Sequence, residues 1–263
     1  MESVLNLLKG LKVIHPNVEL NVVTFNTHCG KKFEQIKRVF QTHAVFQNAD
    51  IIFLQEVEHK HTHESSEAMQ LAKILGMNVY YADARPLKPG GSHGIAILSK
   101  LKLADTEMMQ LPYFHSHLRP RTRIAQFSTV EINHEKILLV NVHLDVKVNL
   151  QERIAQLQPV LEKIKTIGIS KVIMAGDFNT TPVYWYKGTF PVKIRRQTNG
   201  FKKFVKSHGF ISANPIFGYT MRAGVVPLFL DAIFIKGMEI TNSGVENSLK
   251  VSDHSPLWAT IQV

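Results

Sequence analysis

The sequence predicts an α/β or α+β fold built on large, mixed β-sheets, and three observations carry that expectation. Short β-like runs recur along the chain with longer helical stretches between them, the alternation of a layered architecture. One run, Asp50–Leu54 (DIIFL), is continuously apolar after its first residue, as strands covered on both faces are. No internal repeat, low-complexity tract or Gly/Ser-rich linker interrupts the chain, so residues 1–263 are expected to form one domain.

Glu19–Phe25 (ELNVVTF) reads as the first strand. Lys32–Gln47 follows as a helix with Phe33, Ile36, Val39 and Phe40 on one face. Asp50–Leu54 is the next strand, and Ser65–Leu75 a helix ended by Gly76. Strands at Asn78–Tyr81, Gly94–Ser99, Ile124–Ile132 and Lys136–His143 come next. A long helix at Leu150–Ile167 carries Ile154, Leu157, Leu161 and Ile164 at helical spacing. Strands at Lys171–Ala175, Asp231–Ile235 and Leu257–Val263 complete the reading.

Composition excludes some classes. Apolar residues make up 44% and charged ones 20%, which are globular values rather than disordered or fibrous ones. A chain of this size buries about 70–75% of its unfolded surface without staples. The single cysteine, Cys29, excludes an intrachain disulfide and suits a reducing compartment. No apolar run of about 18 residues is present, so no transmembrane helix is expected. Met1–Leu5 has an acid where a signal peptide carries a base, and a cytoplasmic monomer is the expectation. The net charge of +10 is concentrated: between Asp177 and Asp231 there is no acid, yet eight Lys and Arg residues fall there. Such a block attracts nucleic-acid backbone, phosphorylated metabolites or acidic lipid headgroups.

Six strand ends carry polar residues of catalytic types. They are Thr24-Phe25-Asn26, Gln55-Glu56, Asn141-Val142-His143-Leu144-Asp145, Gly176-Asp177-Phe178-Asn179, Asp231-Ala232-Ile233-Phe234 and Ser252-Asp253-His254-Ser255-Pro256. A buried strand bears a carboxylate at its end only where water, a cation or a donor meets it. A single acid such as Asp50 or Asp83 reads as a turn or cap residue; six ends together read as a site on converging loops. Carboxylates and an amide oxygen without thiolates are hard ligands suited to Mg²⁺ or Mn²⁺. Two histidines and several acids around such an ion meet the needs of phosphate-ester hydrolysis.

In this order and spacing the six strings resemble the endonuclease/exonuclease/phosphatase superfamily from about Leu20 to Val263. Gly176-Asp177-Phe178-Asn179-x-x-Pro182 and Ser252-Asp253-His254-x-Pro256 are the most specific of them. Gly94–Ser99, Pro120-Arg121, and Arg153 with Gln156 add a likeness to its small bacterial members. The resemblance implies a four-layer sandwich, two mainly antiparallel sheets packed face to face with helices on both outer faces. It implies Glu56 as principal metal ligand, with Asn26 and Asp253 near the Mg²⁺ or Mn²⁺. Asp177 would orient or deprotonate the attacking water, and Asn179 would hold that water or a phosphoryl oxygen. His254, paired with Asp231, would stabilise the transition state, and His143 would bind phosphate from the other side. Arg121 is the expected phosphate-facing arginine, with Arg119 and Arg123 as alternatives of register.

The expected substrate is nucleic acid, which makes the chain a nuclease. A phospholipid or phosphoinositide, as in sphingomyelinases and inositol phosphatases, is the alternative. Tyr184-Trp185-Tyr186 could stack on a base, meet a lipid interface or simply pack. A non-catalytic basic binding module is the reading from another class, but such a module would have lost part of the catalytic set. Two further strings are set aside. Gly90–Gly94 matches G-x-S-x-G without the strand-to-helix context of a nucleophile elbow, and His59–His63 lacks a fourth zinc ligand. Cys29 is given no role.

Overall fold

A computed structural model of the chain describes residues 18–60, 65–88, 90–114, 122–186, 190–193, 196–215, 218–223 and 226–263. The first half forms β1 (Glu19–Asn26), α1 (Phe33–Thr42), α2 (Ala44–Gln47), β2 (Ile51–Lys60), α3 (Glu67–Leu75), β3 (Asn78–Pro86), β4 (Gly91–Ser99) and β5 (Ala104–Gln110). Then come β6 (Ile124–Ile132), β7 (Glu135–His143), α4 (Leu150–Ile167), β8 (Lys171–Asp177), β9 (Val183–Tyr186), β10 (Phe190–Lys193) and α5 (Arg196–Ser207). The remainder is β11 (Ile211–Ser212), β12 (Met221–Ala223), β13 (Val226–Leu228), β14 (Asp231–Lys236), β15 (Glu239–Val245) and β16 (Leu257–Gln262).

Two six-stranded sheets result, ordered β15-β16-β1-β2-β4-β3 and β11-β14-β8-β7-β6-β5. Each has one parallel pair at its centre, β1–β2 and β7–β8, and antiparallel pairs elsewhere. Both parallel pairs are joined through helices, which supply the crossover that parallel neighbours require. Because side chains alternate along a strand, each strand divides its apolar residues between two layers. Val22, Ile51 and Phe53 face Leu139, Ile173 and Ile233 of the other sheet in the central core. Their neighbours Val23, Phe25, Ile52 and Leu54 pack outward on Ile36, Phe40, Phe46 and Leu71 of α1–α3. On the opposite side Val140, Val142 and Met174 meet Leu157, Leu161 and Phe201 of α4 and α5. Burying each such side chain contributes about 1.5–3 kcal/mol. The four layers expected are the layers observed.

The structure departs from the sequence reading in places. The single helix expected over Lys32–Gln47 is two, because His43 takes an extended conformation (φ −92, ψ 128) and its Nδ1 accepts from Val45 N at 3.3 Å. That break lets Phe46 stack on Phe40 with ring centroids 4.0 Å apart. The edge strands β5 and β15, the short strands β9–β13 and the basic helix α5 were not anticipated; β5 is exposed along most of its length and so shows no apolar alternation. Among the described residues, no helix is long and apolar enough to cross a membrane.

Candidate active site

The row of inward-facing positions that builds the central core continues to one edge of the sandwich and there becomes polar. In β1 it runs Leu20, Val22, Thr24, Asn26; in β7 it runs Ile137, Leu139, Asn141, His143. In β8 Ile173 and Ala175 lead to Asp177, and in β14 Ile235 and Ile233 lead back to Asp231. The antiparallel direction of β14 puts its first residue level with the last of β8, so Asp231 pairs with Asp177, which pairs on its other side with His143. Beneath this edge lies a buried polar layer that ties the sheets together. Asn141 donates to Leu54 O, Ala96 O and Gln126 Oε1 at 3.0, 2.9 and 3.1 Å, and accepts from Gln55 Nε2 at 2.9 Å.

Glu56 would face the helices if β2 simply alternated. Instead a bulge separates Gln55 from Val57 in the pairing with β4, and Glu56 sits at φ 56. Left-handed backbone at a non-glycine residue costs about 1–3 kcal/mol and clusters at functional sites. Here it turns the carboxylate into the cleft, with Oε1 3.9 Å from His143 Nε2 and Oε2 accepting from Cys29 Sγ at 3.2 Å. Asn179 has the same backbone habit (φ 50); its N–H donates to Asp177 Oδ1 at 2.9 Å and its Nδ2 to Leu144 O at 3.0 Å. Asp177 Oδ2 accepts from Asn26 Nδ2 at 3.1 Å and lies 3.6 Å from His143 Nε2 and 4.0 Å from His254 Nε2. His254 Nδ1 donates to Asp231 Oδ2 at 2.8 Å, which aims Nε2 at the cleft. Asp253, more exposed, pairs with His28 Nδ1 at 3.2 Å.

The surroundings tune these groups in opposite directions. Burial first, and the charge of Asp231 second, push the Asp177 carboxyl up to about 6. Burial alone would lower His254, but the charge and hydrogen bond of Asp231 outweigh it and raise the imidazole to about 10. Burial works against ionisation of Glu56 as well, yet the Cys29 hydrogen bond and the charges of His93, Arg123 and His254 hold it below the ordinary carboxylate range. At neutral pH the edge therefore offers an ionisable base, a cationic donor and a fixed carboxylate. They line a cleft of about 320 Å³. A larger cavity of about 570 Å³ lies at the far ends of β8 and β14, beside Ser170 and Lys236, away from these groups.

Asn26, Glu56, His143, Asp177, Asn179, Asp231, Asp253 and His254 are all brought to this edge. Arg121 and Arg119 lie outside the described residues. Arg123 is in the site: its Nη1 lies 2.7 Å from His143 Nε2 and its Nη2 3.9 Å from Asp145 Oδ1. Arg153 and Gln156 stand behind it. Arg153 donates to Asp145 O, Phe178 O and Val148 O, and Gln156 Oε1 accepts from Asp145 N, so α4 pins the loops that follow His143 and Asp177. The lining also includes residues with no part in the sequence reading of the site, among them His28, Cys29, Lys31, Arg85 and His93. Of these only Cys29, shortly after the end of β1, offered a signal. Asp50 accepts from Asn21 N at 2.8 Å, the turn role expected of it, and Ser92 lies within β4, bonded to Asp83 and Tyr81.

The sequence matches the Endonuclease/Exonuclease/phosphatase family over residues 23–254. No curated protein matches it. Among solved structures it is similar to the endonuclease/exonuclease/phosphatase from Bacteroides vulgatus, at 16% identity and TM-score 0.69 over 94% of this chain and 99% of that one. ANGEL2, a 2′,3′-cyclic phosphatase, gives 16% identity and TM-score 0.68 over 94% and 95%. The mannosyl-6-phosphatase of Bacteroides thetaiotaomicron gives 16% and 0.64 over 92% and 99%. At these identities the likeness establishes the fold, and the family match carries the chemistry. The chain belongs to the Endonuclease/Exonuclease/phosphatase family of metal-dependent phosphoesterases and is a hydrolase of ester bonds.

Proposed function

We propose that the chain is a nuclease that hydrolyses phosphodiesters with activated water, supported by Mg²⁺ or Mn²⁺ at Glu56, Asn26 and Asp253. One observation carries the reading: on rigid strand ends, Asp177 Oδ2 stands 3.6 and 4.0 Å from two imidazoles, with Asn26 anchored on the same oxygen. The donor set fits a hard cation. Glu56 and Asp253 supply carboxylate oxygens to one cleft, and the Asn26 amide, held through Nδ2 on Asp177, has an Oδ1 that accepts from His28 N–H and keeps a second lone pair. When bound, the cation neutralises phosphoryl charge and the leaving oxygen. Asp177, with a carboxyl near 6, is mostly ionised at neutral pH and takes the proton of the attacking water. Asn179, fixed by Leu144 O, orients that water or a phosphoryl oxygen. His254, cationic and locked by Asp231, donates to the developing charge, and His143 faces it from the other sheet with Arg123 behind.

The basic run after Asp177 supports a polyanion as substrate. The exposed lysines of α5, Lys202, Lys203 and Lys206, belong to it, as does exposed Arg222. An incubation with Mg²⁺ or Mn²⁺ and plasmid DNA, abasic and single-stranded oligonucleotides, RNA, sphingomyelin and phosphoinositides tests the reading. Nucleic-acid cleavage abolished by EDTA, Asp177→Ala and His254→Ala is the expected result. Turnover of a lipid alone would replace the substrate and keep the chemistry; no turnover of any ester would overturn the reading.

A further inference from the structure

We propose that Cys29, Glu56 and His93 form a second metal site, for a thiophilic divalent cation such as Zn²⁺, which shares Glu56 with the catalytic centre and opposes its hard cation. The three residues come from three segments: the loop after β1, the bulge of β2, and β4. Each offers one ligand atom, a sulfur, a carboxylate oxygen and a ring nitrogen, and all three atoms lie within 4.8 Å of one another. The residues line the same cleft, and His93 is only 4% exposed.

The backbone holds this triangle from behind. His28, Cys29 and Gly30 are left-handed in succession, at φ 54, 54 and 58, and the turn directs Sγ to Glu56 Oε2 at 3.2 Å. A Cβ at Gly30 would lie 1.9 Å from Glu67 Oε1, so the turn rests on the carboxylate at the start of α3. Glu67 in turn accepts from Glu58 N at 3.0 Å, on the residue that pairs with His93 across the ladder. One buried side chain thus braces the turn bearing Cys29 and the β2 segment that carries Glu56 and pairs with His93.

The donors decide the class of cation. Mg²⁺ takes oxygen ligands in octahedral geometry, whereas sulfur and imidazole with one carboxylate suit Zn²⁺. Zinc bonds of about 2.0–2.3 Å set tetrahedral ligand atoms about 3.3–3.8 Å apart, so a small closure of the triangle seats the ion with a fourth position open to the cleft. On binding, the Cys29 thiol releases its proton to solvent as the sulfur–metal bond forms. Glu56 cannot serve both ions fully, so Zn²⁺ antagonises the Mg²⁺-supported reaction. That antagonism rests on the function proposed above; the site itself does not.

Cobalt, a spectroscopic substitute for Zn²⁺, tests the site without any turnover. The full chain, Cys29→Ser and His93→Gln would each be titrated with Co²⁺ and then back-titrated with Zn²⁺. Expected is one Co²⁺ per chain with a thiolate-to-cobalt charge-transfer band in the near ultraviolet, bleached by Zn²⁺ and lost in Cys29→Ser. Losing a ligand costs no less than losing a supporting group, so Zn²⁺ affinity should fall at least about tenfold in His93→Gln, and the half-inhibiting Zn²⁺ concentration should rise similarly in Cys29→Ser. Saturation with Co²⁺ without a thiolate band, or equal Zn²⁺ affinity in all three proteins, would overturn the proposal. A chain that shows the band yet hydrolyses no ester would retain the site and refute the nuclease reading.

Discussion

Replacing Asp231 by Asn removes one charge from beneath His254 and keeps the shape of the side chain. The His254 ring is nearly buried, and burial on its own drives an imidazole toward the neutral form. It is raised to about 10 because the Asp231 carboxylate accepts from Nδ1 at 2.8 Å, with Asp177 and Asp253 adding to the attraction. Since the folded value lies above the unfolded 6.5, the stability it contributes is complete below 6.5 and disappears as the pH climbs to about 10. A rise of that size corresponds to something on the order of 5 kcal/mol. In Asp231→Asn most of that contribution is gone, and His254 should lose its proton near or below neutrality.

Titration of the histidine ring resonances in metal-free protein under EDTA reads this directly. Wild-type His254 should stay protonated well above neutral pH, and in Asp231→Asn its midpoint should fall by several pH units. With Mg²⁺ restored, kcat for the cleaved substrate should drop roughly 10²–10⁴-fold at neutral pH, as for loss of a positioned acid. A wild-type midpoint close to 6.5, or an unchanged one in the variant, would refute the claim that Asp231 sets the charge of His254.

Three other outcomes are expected. Arg153→Ala leaves the carbonyls of Asp145, Val148 and Phe178 without their buried donor, which should cost about 3–5 kcal/mol in urea denaturation and lower kcat as the loops after His143 and Asp177 loosen. Gly176→Ala sets a Cβ 1.9 Å from Val142 O at φ 143, so β8 must move off β7; thermal melts should show a loss of at least about 3 kcal/mol, or no folded protein. Asn141→Leu strips the donor from Leu54 O and Ala96 O and the acceptor from Gln55, and should destabilise by about 3 kcal/mol or more, whereas Asn242→Leu on the exposed β15 should stay within about 0.5 kcal/mol.

Much of the site was legible because strand ends announce themselves in a sequence. A run such as Lys171–Ala175 has no packing use for Asp177, and six such ends in a fixed order leave few chemistries. What escaped the sequence depends on backbone geometry or on distant pairing. Strict alternation in β2 would direct Glu56 outward to the helices; only the bulge turns it inward, and no residue type announces that bulge. His93 meets Glu56 because β4 pairs with β2 past that bulge, a fact of register rather than of local pattern. Arg119, Arg121 and Arg123 recur at every second position of the sequence, so spacing could not choose among them, and Arg123 stands against His143 because it directly precedes β6. The edge strands β5 and β15 carry polar residues on both faces, which removes the periodic signal and also discourages edge-to-edge association.

The same row of inward positions supplies both the core and the chemistry, and this constrains what the chain can tolerate. A slip of β8 by one residue against β7 would turn Asp177 toward α4 and bring Gly176 and Phe178 inward, while exchanging Ile173 and Ala175 for Val172 and Met174 in the central layer. Site and core would fail in one step. Gly176 guards against that slip, because its backbone approaches Val142 O more closely than any residue with a Cβ could, and only in the observed register does a glycine stand there. The glycine that precedes Asp177 is therefore a register lock as much as a turn residue. What that register secures is the position of Asp177 between His143 and Asp231, which no group on the aspartate itself could secure.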